Sequence, residues 1–337
     1  MTLLAIETSC DETAAAVLRD GQLLSSVVAS QQEHLKWGGV VPELASRAHI
    51  IKIVPVVQQA LNEANVDLND IEGVAATYGP GLIGSLLVGL TFAKGLAMSR
   101  KVPFLGVNHL EGHLFSAMIE YPDLPMPFLA LVVSGGHTIL ALVQDIGRYH
   151  ILGETRDDAA GEAFDKVAKI LDLPYPGGPS IEKLAREGNP EAVKFPVAKL
   201  KGNPYDFSFS GLKTAVLYYY NKLSDAEKKR QRADVAASFQ KAVVRALSEK
   251  VALAVKKKNI RHVVVAGGVA RNRRLADAIS ALAEKHDFEV YIPSLQYCTD
   301  NAAMIGKAAD LFFRQGKSSP LNLPPRPNLT LTESSTD

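Results

Sequence analysis

A pattern met twice most constrains how this chain folds. Residues 3–7 and 14–18 are apolar runs of strand length joined by a polar turn at 8–13, and Asp20-Gly21 turns the chain into a third run at 22–28. A helical stretch at 41–65 follows, with Leu44, Ala48, Ile51, Val54 and Val57 near one side. Then come an apolar strand at 73–77, the turn Gly79-Pro80-Gly81, a long apolar helix and a closing strand at 104–107. The second half begins again in the same way. Strands at 128–133 and 138–143 flank Ser134-Gly135-Gly136-His137, and a turn at 145–147 leads into 148–152. Later a buried strand at 262–266 meets Gly267-Gly268 and a helix through 272–285. Two similar α/β lobes with a cleft between them are the economical reading.

The 337 residues suffice for two such lobes, each with its own core. The expected division is an N-terminal lobe at 1–107, completed by a C-terminal helix at about 299–315, and a second lobe at 108–298 that carries helical insertions. An irregular tail at 316–337, with Ser318, Ser319 and several prolines, ends the chain. A net charge of +1 gives no global field for nucleic acid, so any RNA contact has to come from a local patch. Cys10 and Cys298 cannot build a disulfide framework, which suits a reducing, cytoplasmic setting. No basic leader opens the sequence, and its first apolar run stops at Glu7, so no signal peptide is expected. The longest apolar stretch, 82–98, is broken by Gly84, Ser85, Gly89, Thr91, Lys94 and Gly95, and reads as a buried helix rather than a membrane span.

Three loops offer bare backbone N–H groups to phosphate oxygens: 8–13, 134–138 and 267–272. Each alone is also ordinary turn chemistry; three at corresponding places in two lobes favour nucleotide binding. Gly79-Pro80-Gly81-Leu82-Ile83-Gly84 matches a dinucleotide fingerprint, but the following strand ends in Asn108 where a Rossmann unit needs an acidic residue. A dehydrogenase is therefore rejected.

The sharpest chemical signal is Asn108-His109-Leu110-Glu111-Gly112-His113. Asn108 is a good helix N-cap, which puts His109 and His113 one turn apart on one face, a spacing that suits one divalent ion. The zincin pattern is absent, because Leu110 stands where its glutamate would be. Asp300, expected at the start of a helix capped by Thr299, is the candidate third ligand. A carboxylate in a first helical turn is also stabilised without any metal, and two histidines also occur as plain hydrogen-bonding groups. Spacing does not choose between these readings.

Taken together, the motifs resemble one family. Residues 6–13 (Ile-Glu-Thr-Ser-Cys-Asp-Glu-Thr), 38–47 from Gly38, 108–113, 133–137, 160–166, 176–179, 207–214 and 298–301 are similar, in order, to the signatures of the TsaD family, the tRNA N6-adenosine threonylcarbamoyltransferases. That family was formerly labelled O-sialoglycoprotein endopeptidase, or glycoprotease. The resemblance implies an actin-like ATPase (ASKHA) fold of two RNase H-like lobes. It also implies a metal-dependent acyltransferase that moves a threonylcarbamoyl group from its adenylate to N6 of adenosine 37 in tRNAs reading codons that begin with A. Under it, His109, His113 and Asp300 match the ligands of one divalent ion per subunit, taken as Fe(2+) with zinc or magnesium as alternatives. Val132, Val133, Ser134, Gly135, Gly136, Asp165, Gly178, Glu182 and Asn272 match positions for threonylcarbamoyl-adenylate. Asp11 and Glu12 match acidic loop residues associated with activity. The implied partners are tRNA, a TsaB-like paralogue and a TsaE-like ATPase if the source is bacterial, with no membrane.

Read without the resemblance, several of these residues are plainer. Asp158, Glu162 and Asp165 with Lys166 and Lys169 form a solvated salt-bridged face; Gly178 is a turn glycine, Asn272 a helix-start residue, and 208–211 an N-cap region. Two basic clusters are candidates for RNA phosphates: Lys228, Lys229, Arg230 and Arg232, and Lys256, Lys257, Lys258, Arg261, Arg271, Arg273 and Arg274. The competing functions are a metalloprotease, opposed by the missing H-E-x-x-H glutamate, a sugar kinase or chaperone-like ATPase of the same fold, and a non-catalytic scaffold.

Overall fold

The computed structural model describes residues 1–31 and 39–334; Gly38, part of one quoted motif, lies outside them. Its contacts divide into two compact units, Met1–Leu124 with Asp145–Tyr149 and Pro293–Asp337, and Pro125–Gln144 with His150–Ile292.

In the first unit, β1 (Thr2–Glu7), β2 (Glu12–Arg19) and β3 (Gln22–Ser30) form an antiparallel meander. The turn from β2 to β3 places Asp20 at φ 52° and Gly21 at φ 80°, the left-handed pair that a tight hairpin demands. Helix α1 (Pro42–Ala64) has Pro42 at its first turn and ends on Asn65 in the left-handed region. β4 (Gly73–Gly79), α2 (Ile83–Arg100) and β5 (Phe104–Asn108) then add two parallel strands on the other side of β1, giving the order β3-β2-β1-β4-β5. Short α3 (His109–Phe115) follows directly. β1 and β4 are buried along their whole length, so their near-continuous apolar runs reflect cover on both faces.

The second unit holds β6 (Phe128–Val133), β7 (Thr138–Asp145), β8 (Arg148–Glu154), α4 (Ala160–Ile170), α5 (Gly177–Ala185), α6 (Ser210–Asn221), α7 (Asp225–Lys258), β9 (His262–Ala266), α8 (Arg273–His286) and β10 (Glu289–Tyr291). Its sheet order is β10-β9-β6-β7-β8, with β6 antiparallel to β7 and parallel to β9. Read from the other edge, this is the order of the first sheet. The repeat of pattern in the sequence is thus a repeat of topology, and the two five-stranded mixed sheets are those of the actin-like class. After β10 the chain returns to the first unit as α9 (Leu295–Cys298), α10 (Ala302–Arg314) and α11 (Leu331–Ser334), with α10 packed on β1, β2 and α3.

Two local expectations are corrected. Asn301, not Thr299, caps α10, its side chain accepting from the Met304 N–H at 2.9 Å, so Asp300 lies outside the helix. On α1 the core face is Ala45, His49, Ile53, Val56, Val57 and Ala60; of the expected stripe Val57 lies on it, whereas Leu44, Ile51 and Val54 are exposed, Ile51 at 74%. The helix is apolar on two sides, and sequence periodicity picks out the outer one. Among the described residues no helix is long and apolar enough to cross a membrane.

Candidate active site

The first unit assembles its site where β5 passes into α3. The Asn108 side chain accepts from the Leu110 N–H at 2.9 Å, and Glu111 reaches back to the Asn108 N–H at 3.4 Å, a capping box that fixes the first turn. That cap puts His109 and His113 on one face, their rings 4.8 Å apart and nearly perpendicular. Asp300 Oδ1 lies 3.5 Å from His109 Nε2 and 3.2 Å from His113 Nε2. The three ligand atoms all fall within 4.8 Å of one another. An ion bound at about 2.0–2.2 Å to nitrogen and oxygen ligands needs them at about this mutual spacing.

The surroundings fit a cation as well. His113 is fully buried; its Nε2 faces Asp300 Oδ1 at 3.2 Å without good hydrogen-bond geometry, and its Nδ1 makes no hydrogen bond among the described residues. Leaving a buried polar atom unmatched costs about 1–3 kcal/mol, which coordination would recover. The carboxyl groups of Glu7, Asp11, Glu12 and Asp300 crowd the same region. Glu12 is pushed up to about 9 by burial and by the charges of Asp300 and Asp11, because like charges cannot all ionise together without a counter-charge. Burial alone would raise Asp300, but His109 and His113 hold it well below the usual carboxylate range. Burial likewise opposes the charge on His109, and Asp300 and Glu7 outweigh it, raising His109 well above a free imidazole. In the metal-free protein the pocket therefore carries a proton where an ion fits.

Further residues complete this site without having been singled out in the sequence. Glu7, buried at the end of β1, stands 3.0 Å from His109 Nδ1, and Ser9 Oγ is 3.1 Å from the same nitrogen. His49 on α1 bridges Thr13 Oγ1, at 2.8 Å, and the Cys10 carbonyl, at 2.9 Å, pinning both ends of the loop that carries Asp11 and Glu12. Burial lowers the His49 pKa, so the ring is neutral and donates from one nitrogen while accepting at the other. The available signal was a lone acid ending an apolar strand and a lone histidine on the core face of a helix.

The second unit gathers its candidate residues around the end of β6. Val132 and Val133 are wholly buried, backbone included, so the structure leaves neither open at the surface. The next loop closes on itself through Ser134 N–H to the His137 carbonyl at 2.8 Å, leaving Gly135 and Gly136 exposed. The first turn of α4 abuts it, Gly161 N–H donating to the Ser134 carbonyl at 3.1 Å; a Cβ on Gly161 would stand 2.5 Å from that oxygen. Gly267, at φ 90°, comes as near, since a Cβ there would lie 2.4 Å from the Val133 carbonyl. Asp165 accepts from Gly177 N–H at 2.7 Å, and burial raises its pKa. Glu182 accepts from Arg273 N–H at 3.3 Å, which sets α5 against the start of α8. Asn272 caps α8 through Leu275 N–H and donates to Gln240 at 3.1 Å, so its side chain is already engaged. Gly178 has open space where a Cβ would be. Asp165, Gly178, Glu182 and Asn272 are thus linked through α5, and Ser134–Gly136 through α4.

The two basic clusters are not one patch. Arg230 and Lys257 sit near opposite ends of α7, about 40 Å apart at 1.5 Å per residue. In the first cluster the Arg232 side chain is used inside the fold, donating to the Leu171 carbonyl at 2.6 Å. Glu162 pairs with Lys166 at 2.8 Å, the i,i+4 bridge expected from spacing, and Asp158 joins through Lys166 at 2.9 Å and Lys213 at 3.0 Å, whereas Asp165 turns to the Gly177 N–H.

Comparison with known proteins gives this geometry a family. A protein from Clostridium botulinum (strain Kyoto / Type A2) called tRNA N6-adenosine threonylcarbamoyltransferase is 53% identical over 335 residues, 99% of this chain and 98% of its own. A like-named protein of Caldicellulosiruptor saccharolyticus is 53% identical over 321 residues, 95% of each chain. Among solved structures, full-length HypF in its phosphate- and nucleotide-bound form matches 94% of this chain and 47% of its own, with TM-score 0.63 and 15% identity. Component A of (R)-2-hydroxyglutaryl-CoA dehydratase from Acidaminococcus fermentans matches 94% and 100%, with TM-score 0.56 and 17% identity. At such identities the structures speak for the fold alone. The family model of the TsaD proteins, tRNA N6-adenosine threonylcarbamoyltransferase, matches residues 22–307, and with relatives more than half identical from end to end this chain belongs to that family.

Proposed function

We propose that this chain transfers the threonylcarbamoyl group of threonylcarbamoyl-adenylate to N6 of adenosine 37 in tRNAs that read codons beginning with A, releasing AMP. The observation that carries the reading is family membership over nearly the whole chain, at 53% identity to relatives named for this activity. The donor is a mixed anhydride and already activated. The amine nitrogen forms a bond to the carbamoyl carbon, the carbon–oxygen bond to the phosphate breaks, and no enzyme nucleophile is required. The protein's task is alignment and charge stabilisation.

Glycines 135 and 136, exposed and free of side chains, offer backbone N–H groups to the donor's phosphate, while Asp165, Gly178, Glu182 and Asn272 orient the adenylate. His109, His113 and Asp300 would hold one divalent ion, and two imidazoles with one carboxylate suit iron or zinc better than magnesium. When bound, such an ion supplies Lewis acidity toward a carbonyl or phosphate oxygen. Asp11 is assigned to take the proton that the N6 amine loses. Glu12, pushed up to about 9, holds its own proton at neutral pH.

Partner assignment rests on the outer face of the first unit. α1 and α2 border a groove of about 530 Å³ lined by Ile50, Val54, Val88, Phe92 and Leu96, beside exposed Ile51, Ile83, Leu87 and Met98. Contiguous apolar surface of this kind marks a protein partner, assigned here to a TsaB-like paralogue, with a TsaE-like ATPase as accessory. Lys256–Lys258 with Arg271 and Arg273, exposed, are the better candidates for tRNA phosphates, in a cytoplasmic setting.

The test is reconstitution with tRNA, threonine, bicarbonate, ATP and active pathway partners, reading the modified nucleoside by mass. Threonylcarbamoyladenosine that depends on this chain is the expected product. Its absence, with steady ATP turnover in the absence of tRNA, would instead point to a kinase-like ATPase.

A further inference from the structure

We propose that Glu7 is the positioning residue of the metal centre, holding His109 in the tautomer and orientation that ligation needs; this rests on the metal-site reading above. Glu7 Oε2 accepts from Thr77 Oγ1 at 2.6 Å, and Oε1 from the Ser9 backbone N–H. Oε2 is also 3.0 Å from His109 Nδ1. An ionised carboxylate only accepts hydrogen bonds, so the hydrogen on this contact belongs to His109 Nδ1. That leaves Nε2, on the far side of the ring, as the nitrogen that gives up its proton to ligate; Asp300 Oδ1 stands 3.5 Å from it and 3.2 Å from His113 Nε2. Glu7 faces the wrong ring nitrogen to be a ligand itself.

The arrangement is built rather than incidental. Glu7 is fully buried at the end of β1, Thr77 lies on the adjacent parallel strand β4, and His109 begins the helix that follows β5. Three neighbouring elements thus meet at one carboxylate. Burying an unpaired carboxylate would be costly, and three donors offset that cost. A metal-ligating histidine whose other nitrogen donates to a carboxylate is both oriented and made more basic, and loss of such a partner costs about 10–100-fold in metal affinity.

Co(II) supplies the probe, since its visible absorption reports coordination while a titration gives the dissociation constant. The parent protein is expected to bind one Co(II), and His113→Ala to lose it. Glu7→Gln keeps the shape and removes the charge; Glu7→Ala removes the acceptor altogether. Both are expected to raise the dissociation constant about 10–100-fold, Glu7→Ala the more, with a changed Co(II) spectrum. Nitrogen-15 shifts of the His109 ring in metal-free Glu7→Gln should move away from those of a protonated Nδ1 bonded to a carboxylate. Should Glu7→Ala not fold, Glu7→Gln decides. Parent-like affinity and spectrum in Glu7→Gln and Glu7→Ala would overturn the role of Glu7 alone and leave the metal site standing. A parent protein that binds no Co(II), or binds it equally after His113→Ala, would overturn both.

Discussion

Gly89 and Gly95 lie six residues apart in α2, and replacing each by alanine should move stability in opposite directions. The intrinsic effect is the same at both, since a mid-helix glycine is about 0.5–1 kcal/mol less favourable than alanine. At Gly95 nothing lies within 4 Å of the new Cβ, so the gain stands alone. At Gly89 the Cβ would meet Thr8 Oγ1 at 2.3 Å, and that hydroxyl, buried, donates to the Ser85 carbonyl at 2.8 Å. Carbon and oxygen need about 1 Å more, so Thr8 must turn away or α2 must shift. Overpacking a core costs about 1–3 kcal/mol, and a buried hydrogen bond left broken about 1–3 kcal/mol. Together even the low ends of these exceed the helix gain, so Gly89→Ala is expected to be destabilised by about 1–5 kcal/mol. Gly95→Ala is stabilised by about 0.5–1 kcal/mol. Urea unfolding followed by circular dichroism gives both midpoints against the parent. A Gly89→Ala protein as stable as the parent would refute the close packing of α2 on the β1–β2 loop, on which the placement of Ser9 and Glu7 depends.

Two further outcomes concern the site and the partner face. In the metal-free protein His109 is held charged, its pKa raised well above a free imidazole, and its Nε2 proton must leave for the nitrogen to ligate. Metal binding at neutral pH should therefore release about one proton, with affinity rising as pH climbs toward the raised value; calorimetry in buffers of different ionisation enthalpy measures this, and no proton release would contradict it. The same sign governs metal-free stability. The His109 contribution is full below the free-imidazole pKa and is lost as pH rises through the folded one. On α1, Ile51→Glu and Val54→Glu alter residues 74% and 56% exposed, so the fold should change by no more than about 0.5 kcal/mol. Binding of the TsaB-like paralogue should weaken at least tenfold in a direct titration, and unchanged binding would remove this face as the docking surface.

Much of the fold was legible because its signals are local. Asp20-Gly21 dictates a hairpin, Asn108 with Glu111 makes a capping box, and apolar runs of strand length recur in the same order in both halves. What escaped depends on long-range contacts. Glu7 and His109 are 102 positions apart, and nothing in the sequence near either announces the other. α1 misled because a helix apolar on two sides has no unique stripe, and burial rather than period decides which side faces the sheet. The stretch after α10 reads as irregular, and among the described residues its one helix is short α11. It is nonetheless tied down: Ser319 N–H donates to the Phe104 carbonyl at 2.7 Å, Arg326 N–H to the Tyr78 carbonyl at 2.7 Å, and Asn108 Nδ2 to the Thr330 carbonyl at 3.1 Å. Leu329 and Leu331 are buried. Extended backbone satisfied by distant carbonyls has no periodicity to betray it.

X-ray absorption at the metal edge of the iron- or zinc-loaded protein tests the centre most directly. Two imidazoles and at least one oxygen around the ion are expected, with the bound metal lost in His113→Ala and in Asp300→Ala. A spectrum without imidazole scattering, or one unchanged by removing His113, would contradict a centre built from His109, His113 and Asp300.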